Sequence, residues 1–223
     1  MPDYGLAEGD WCALSREVEE LLTGLLRVDT TNPPGNETAC ALVLRDYLAA
    51  NGIESALVGE LPERQNLVAS LEGTSPGKRL TLRGHMDVVP ADVSERCEPP
   101  FAGVIKGGYD RGCGAVDMRG QVAAEAVIDG RILPGMTLEE IARTVADTPD
   151  AVFAAIVASG FTDSRWGREA YPDCVAYGFA PFLAESPCDM DGGRDHQPNE
   201  RIAPEDVAYQ ALFFERLAED PLA

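Results

Sequence analysis

Apolar side chains recur at positions 14, 18, 21, 22 and 25 of the segment Leu14-Ser15-Arg16-Glu17-Val18-Glu19-Glu20-Leu21-Leu22-Thr23-Gly24-Leu25-Leu26-Arg27. That spacing puts them on one face of a helix, so the pattern predicts an amphipathic helix over 14–27. Asn32-Pro33-Pro34-Gly35 ends it as a turn, and a second helix is expected from Glu37 to Asn51, closed by Gly52. The period then drops to two. Asn66–Leu71 and Arg79–Arg83 alternate apolar with polar and read as strands joined by the turn Glu72-Gly73-Thr74-Ser75-Pro76-Gly77. The second of these runs into His85 and Asp87, at the carboxyl end of a strand, where α/β sheets usually hold their ligands.

Residues 88–111 are rich in Pro and Gly and read as one long irregular connection, a length that in compact domains tends to be functional. A short helix is expected from Val122 to about Ile128, then a strand and turn over Asp129–Gly135. Thr137 with Glu140 three residues on forms a capping box that opens a further helix. Val152–Ala158 and Cys174–Phe179 read as buried strands, and a closing helix starts at Ala203-Pro204-Glu205-Asp206-Val207, with proline in its first turn. Strands alternating with helices predict an α/β fold, a mixed sheet with helices on both faces.

Composition narrows the function. The 223 residues can bury a core without staples, and 38 Asp plus Glu against 18 Lys plus Arg give a formal charge of −20. Such a surface repels phosphate backbones and anionic lipid, which argues against nucleic-acid and membrane-surface partners. The six cysteines show no tight pairing and read as reduced thiols of a cytoplasmic protein. No apolar run approaches the roughly 18–20 residues that a bilayer span needs.

The chemistry concentrates on two histidines. His85 lies in Arg83-Gly84-His85-Met86-Asp87 and His196 in Asp195-His196-Gln197-Pro198-Asn199-Glu200. Neutral imidazole is a common zinc ligand, and a nearby carboxylate is the usual partner that fixes its tautomer.

Six motifs carry a resemblance: Thr31-Asn32-Pro33-Pro34-Gly35, Gly84-His85-Met86-Asp87-Val88-Val89-Pro90, Pro100-Phe101-Ala102-Gly103, Gly114-Ala115-Val116-Asp117-Met118-Arg119-Gly120, Gly160-Phe161-Thr162-Asp163-Ser164-Arg165 and His196-Gln197-Pro198-Asn199-Glu200-Arg201-Ile202. In that order they resemble the M20 (M20/M25/M40) zinc metallopeptidases, over about residues 14–128 and 155–217. The resemblance implies a zinc-exopeptidase-like catalytic domain, a mixed twisted sheet flanked by helices, with most of the ferredoxin-like lid missing. It divides the chain into an N-terminal part of the catalytic domain (1–128), a lid remnant (129–150) and a C-terminal part (151–223). It implies a hydrolase of amide or peptide bonds in small N-acyl amino acids or peptides, holding one or two Zn2+, with Co2+ or Mn2+ as substitutes. By position His85, Asp117 and His196 are the metal ligands, Asp117 bridging two ions, and Asp87 orients His85. Asp163 and Arg165 would be substrate-binding, Arg165 by pairing with a substrate carboxylate. The resemblance leaves the oligomeric state open.

The chain also departs from the family pattern. Paired glutamates, one a general base and one a ligand, and a further acidic ligand are expected between Asp117 and His196. Instead Gln121-Val122-Ala123-Ala124-Glu125-Ala126 runs almost directly into Asp129-Gly130-Arg131. Glu19-Glu20 and Glu139-Glu140 sit in helices and read as solvated positions. The alternative to a working hydrolase is therefore a shortened, catalytically silent derivative that keeps residual metal binding.

Overall fold

The computed structural model describes residues 6–71, 81–128, 169, 171, 181–183 and 196–219. The first helix, α1 (Glu8–Leu26), starts six residues earlier than the 14–27 stripe predicts, because Trp11 extends that stripe and the Ala7 carbonyl accepts the Asp10 and Trp11 N–H groups. The helix α2 (Glu37–Ala50) matches its expected span, with Gly52 at φ 78° just beyond it. A left-handed glycine after the last turn lets the chain leave the helix without a Cβ clash.

Two short strands, β1 (Ser55–Val58) and β2 (Asn66–Ala69), pair antiparallel, with Ala56 opposite Val68. The described part of the other expected strand, Thr81–Arg83, forms no ladder. Its alternation survives in burial alone, with Leu82 turned to the core between two exposed neighbours. What holds the chain here is a parallel bridge between Thr31 and Val88, closed by Asn32 N–H to Val88 O (2.9 Å) and Val88 N–H to Thr30 O (3.2 Å).

The connection over 88–111 is more ordered than its composition predicts. It contains a 3-10 turn at Val93–Glu95 and a hairpin of β3 (Val104–Lys106) and β4 (Tyr109–Arg111). Gly107 and Gly108, both at positive φ (66° and 83°), make the two-residue turn that matches strand twist. A third strand, β5 (Arg201–Ile202), adds to β4 from far along the chain.

The helix α3 (Arg119–Ile128) begins three residues before its predicted start, and α4 (Pro204–Glu219) closes the described part of the chain. Leu22, Leu25, Leu26, Val127, Val207 and Ala211 form the centre of one apolar cluster in which α1, α3 and α4 pack together. Helices and small sheets around that cluster give the mixed helix-and-sheet class expected. Among the described residues the ladders are antiparallel, and parallel pairing is limited to the Thr31–Val88 bridge. Cys12, Cys40, Cys97 and Cys113 are free thiols. No helix among the described residues is long and apolar enough to cross a membrane. The expected lid remnant over 129–150 and the strands over 152–158 and 174–179 lie outside the described residues.

Candidate metal centre

His85 enters the site on the loop pinned by the Thr31–Val88 bridge, Asp117 on the loop between β4 and α3, and His196 just ahead of β5. The three converge. His85 Nε2 lies 3.1 Å from one Asp117 oxygen, Oδ1, and His196 Nε2 lies 2.9 Å from the other, Oδ2. One carboxylate thus faces two imidazoles, an oxygen for each. His85 is also gripped from behind, its Nδ1 lying 3.2 Å from Asp87 Oδ1. Asp87 is fixed in turn by Asn32, whose Nδ2 donates to Asp87 Oδ2 at 2.8 Å.

The charges follow from these contacts. The hydrogen bond to Asp117, then that to Asp87, drives the His85 imidazole up to about 10 against the burial that opposes it. The Asp87 carboxyl is held down at about 2 by His85, with help from Asn32. Asp117 is likewise held below the usual carboxylate range, by His85 first and by His196 more weakly. Burial pushes Glu200 up, opposed by the backbone N–H groups it accepts.

The backbone at the site is specialised. His196 adopts φ 60°, a left-handed conformation uncommon for a residue with a Cβ, and such outliers gather at functional sites. Gly114 sits at φ +88°, where an added Cβ would come within 2.8 Å of Val88 Cγ1, so the turn that delivers Asp117 requires glycine. Beneath it Arg119, wholly buried, donates through Nη1 to Leu25 O at 2.8 Å and through Nη2 to Thr30 Oγ1 and Met86 O. It ties the end of α1 to the residue beside His85. Its place as a positive residue in the Gly114–Gly120 motif was visible in the sequence, its staple role was not. Asn32 was likewise visible only as part of a turn motif.

Asn32, His85, Asp87, Val88, Val89, Asp117 and His196 line an open cleft of about 230 Å3. The donor atoms suit a transition metal in kind. Zinc bonds of about 2.0–2.2 Å set neighbouring tetrahedral ligands roughly 3.3–3.6 Å apart, so the N···O spacings of 3.1 and 2.9 Å here, those of hydrogen bonds, would open by a few tenths of an ångström around an ion. The donors form two pairs sharing Asp117: among the described residues no group of three or more His, Cys, Asp or Glu side chains gathers around one point. Asp163 and Arg165 lie outside the described residues.

The sequence profile of peptidase family M20/M25/M40 matches residues 81–128, the stretch that carries His85, Asp87 and Asp117. That stretch is similar to the family. Among relatives, it is 36% identical over 112 residues to an N-formyl-4-amino-5-aminomethyl-2-methylpyrimidine deformylase of Halalkalibacterium halodurans, covering 48% of this chain and 26% of that one. It is 39% identical over 111 residues to a succinyl-diaminopimelate desuccinylase of Methylobacterium nodulans, covering 48% of this chain and 27% of that one. This chain therefore spans about a quarter of the length of these relatives. Among solved structures it is similar to an M20 family metallo-carboxypeptidase from Sulfolobus solfataricus, at a TM-score of 0.46 and 22% identity, covering 50% of this chain and 26% of that one.

Proposed function

We propose that His85, Asp117 and His196 are the ligands of an M20-type metal centre, and that the protein built on it hydrolyses an amide or peptide bond in a small N-acyl amino acid or peptide. The observation that carries this reading is the sharing of the two Asp117 oxygens between two imidazoles. The M20 family is generally metal dependent, and zinc is the ion this donor set suits, with cobalt or manganese as substitutes. A bound ion would supply Lewis-acid polarisation of the scissile carbonyl and a more acidic water. The chain's own residues do the rest of what is visible: Asp117 fixes the separation of the imidazoles, Asp87 holds the tautomer and ring plane of His85, and Asn32 holds Asp87. Two relatives named for removing an acyl group, a deformylase and a desuccinylase, support the N-acyl substrate class. In this reading Arg165 pairs with the substrate's carboxylate, and Asp163 lies beside the substrate.

A second reading, residual metal binding without turnover, has a specific observation behind it. Among the described residues neither His–Asp117 pair has a third donor. Glu200, the buried carboxylate nearest Asp117 in the fold, is committed to backbone N–H groups and is no free base. Glu125 is a better candidate for proton transfer, since its Oε2 lies 3.6 Å from where a Cβ on Gly84 would stand, one residue from His85.

Zinc stoichiometry by elemental analysis, with hydrolysis of a panel of N-formyl, N-acetyl and N-succinyl amino acids, tests both readings. The expectation is at most one tightly held zinc per chain and turnover far below the roughly 1–10³ s⁻¹ of ordinary enzymes. General acid–base assistance is typically worth about 10²–10⁴-fold, and its donor is the missing part. Equal zinc retention by the wild type and a His85→Ala/His196→Ala double variant would sink the metal assignment. Ordinary turnover that disappears in Glu125→Ala would favour the hydrolase over the silent derivative.

A further inference from the structure

Glu200 is a carboxylate that the chain buries almost completely, at 2% exposure, with no basic side chain hydrogen-bonded to it among the described residues. Such burial is costly unless the charge finds donors. Its donors are three backbone N–H groups of a single loop: Gly114 N–H to Oε2 at 3.0 Å, Val116 N–H to Oε1 at 2.8 Å and Asp117 N–H to Oε1 at 3.0 Å. The left-handed Gly114 turns these amides toward one point, the concave arrangement that elsewhere binds free anions. Here the anion belongs to the chain.

Around Glu200 the connection is reinforced at every step. Gly112 N–H donates to Glu200 O at 3.3 Å, and Arg111 pairs with Arg201 in the β4–β5 ladder. Asn199 Oδ1 accepts the Cys97 N–H at 3.0 Å. His196 stands four residues before Glu200, and the last of the three amides belongs to Asp117 itself.

We propose that Glu200 is the positioning residue of the metal centre: by filling the amide cradle of residues 114–117 it locks the Asp117 carboxylate and the His196 segment into one register, so that the two donors are placed together or lost together. The proposal rests on the reading of His85, Asp117 and His196 as ligands. It distinguishes Glu200 from His196 in kind, because Glu200 touches no ion or substrate and acts through the loop it holds.

Glu200→Gln is the informative variant. It keeps the shape and one acceptor oxygen for Val116 and Asp117, but turns an NH2 group toward the Gly114 N–H, setting donor against donor. Glu200→Asp, one methylene shorter, serves as the second variant, and Leu48→Ala in α2, far from the cradle, as a control for general loss of stability. Two quantities are read: the Co2+ affinity with its visible absorption spectrum, and hydrogen exchange of individual backbone amides by NMR. Glu200→Gln is expected to weaken Co2+ binding about 10–100-fold, the range for groups that orient ligands, and to change the band intensities. Exchange at Gly114, Val116 and Asp117 should accelerate while amides of α1, α3 and α4 stay protected. Leu48→Ala should lower the melting temperature and leave both quantities unchanged. Wild-type Co2+ affinity and spectrum in Glu200→Gln would overturn the proposal, as would losses that merely track the melting temperature across all three variants. If the wild type itself binds no Co2+, the ligand reading fails separately. The amide exchange then still decides whether Glu200 holds the loop.

Discussion

The apolar layer of α1, α3 and α4 and the polar layer at its edge are held by opposite means. In the first, Leu22, Leu25, Val127, Val207 and Ala211 need only be apolar and on the right face, and helical spacing puts them there. In the second, each side chain has a specific partner supplied by a distant part of the sequence: Asn32 for Asp87, His85 for Asp117, Glu200 for the 114–117 amides. The core tolerates exchange among similar shapes, whereas the polar layer depends on individual atoms. A change in the core should therefore cost stability without touching the proposed metal centre, and a change in the polar layer the reverse.

The largest effect expected tests the first half of that contrast. Leu22→Ala removes a fully buried side chain from the centre of the cluster and should cost about 2–5 kcal/mol in chemical denaturation. Zinc affinity of the folded fraction should stay within about threefold of wild type, on the order of the scatter for independent sites. A large affinity loss would mean that the two layers are one unit.

Arg119 belongs to both layers and should break the contrast. Its guanidinium reaches from Leu25 O in the core to Thr30 Oγ1 and Met86 O beside His85. Arg119→Ala should cost about 2–4 kcal/mol, since buried acceptors lose their donor. It should also weaken zinc binding at least tenfold, because the His85 loop loses its tie. Denaturation and calorimetric zinc titration on the same sample measure both. Loss of stability alone would place Arg119 wholly in the core.

Asp110 offers a pH test at the junction of α1 and β4. It is buried on β4, and desolvation, with the Glu19 charge on α1, pushes its carboxyl up to about 7, while its hydrogen bond with Thr23 opposes the shift. The folded state therefore holds a proton that the unfolded chain releases near its ordinary carboxylate value of 3.8. Stability contributed by this group falls as pH rises from about 4 to about 7, then levels off. Asp110→Asn should flatten that part of the stability–pH curve and stabilise the protein at pH 8 by up to a few kcal/mol. A curve unchanged by the substitution would show that other groups set it.

How much of this was legible in the sequence follows the same division. The α2 helix was readable to within a residue because its stop, Asn51-Gly52, is local chemistry. The β3–β4 hairpin was missed although Gly107-Gly108 is a hairpin signal, because its strands are three residues each and lie in a stretch dense with Pro and Gly. The expected ladder at Arg79–Arg83 rested on alternation, which reports burial rather than pairing, and in Thr81–Arg83 burial is what remains. His85 and His196 stood out as the two histidines of the chain and Asp117 was found through a resemblance, since no periodicity marks any of them, and the fold brings all three to one place. The cradle around Glu200 was beyond reach from sequence. Glu200 and the Val116 N–H lie 84 residues apart, and tertiary contacts such as the β4–β5 pairing bring them together.

The smallest effect concerns the outermost tie of the polar layer. The Asn32 side chain donates one hydrogen bond to Asp87, so it is expected to act on the proposed metal centre through Asp87 and then His85. Asn32→Ala should change global stability by no more than about 1 kcal/mol, the usual net worth of a partly exposed hydrogen bond. Zinc affinity should drop about tenfold, at the low end for groups that orient a ligand's own partner. Asn32→Asp should do worse despite its similar shape, because it sets a second carboxylate against Asp87 and replaces a donor with an acceptor. Isothermal titration with zinc on the three proteins ranks them directly. Equal affinity in all three would show that Asp87 holds His85 without help, and that the ordered layer around the centre ends one residue sooner.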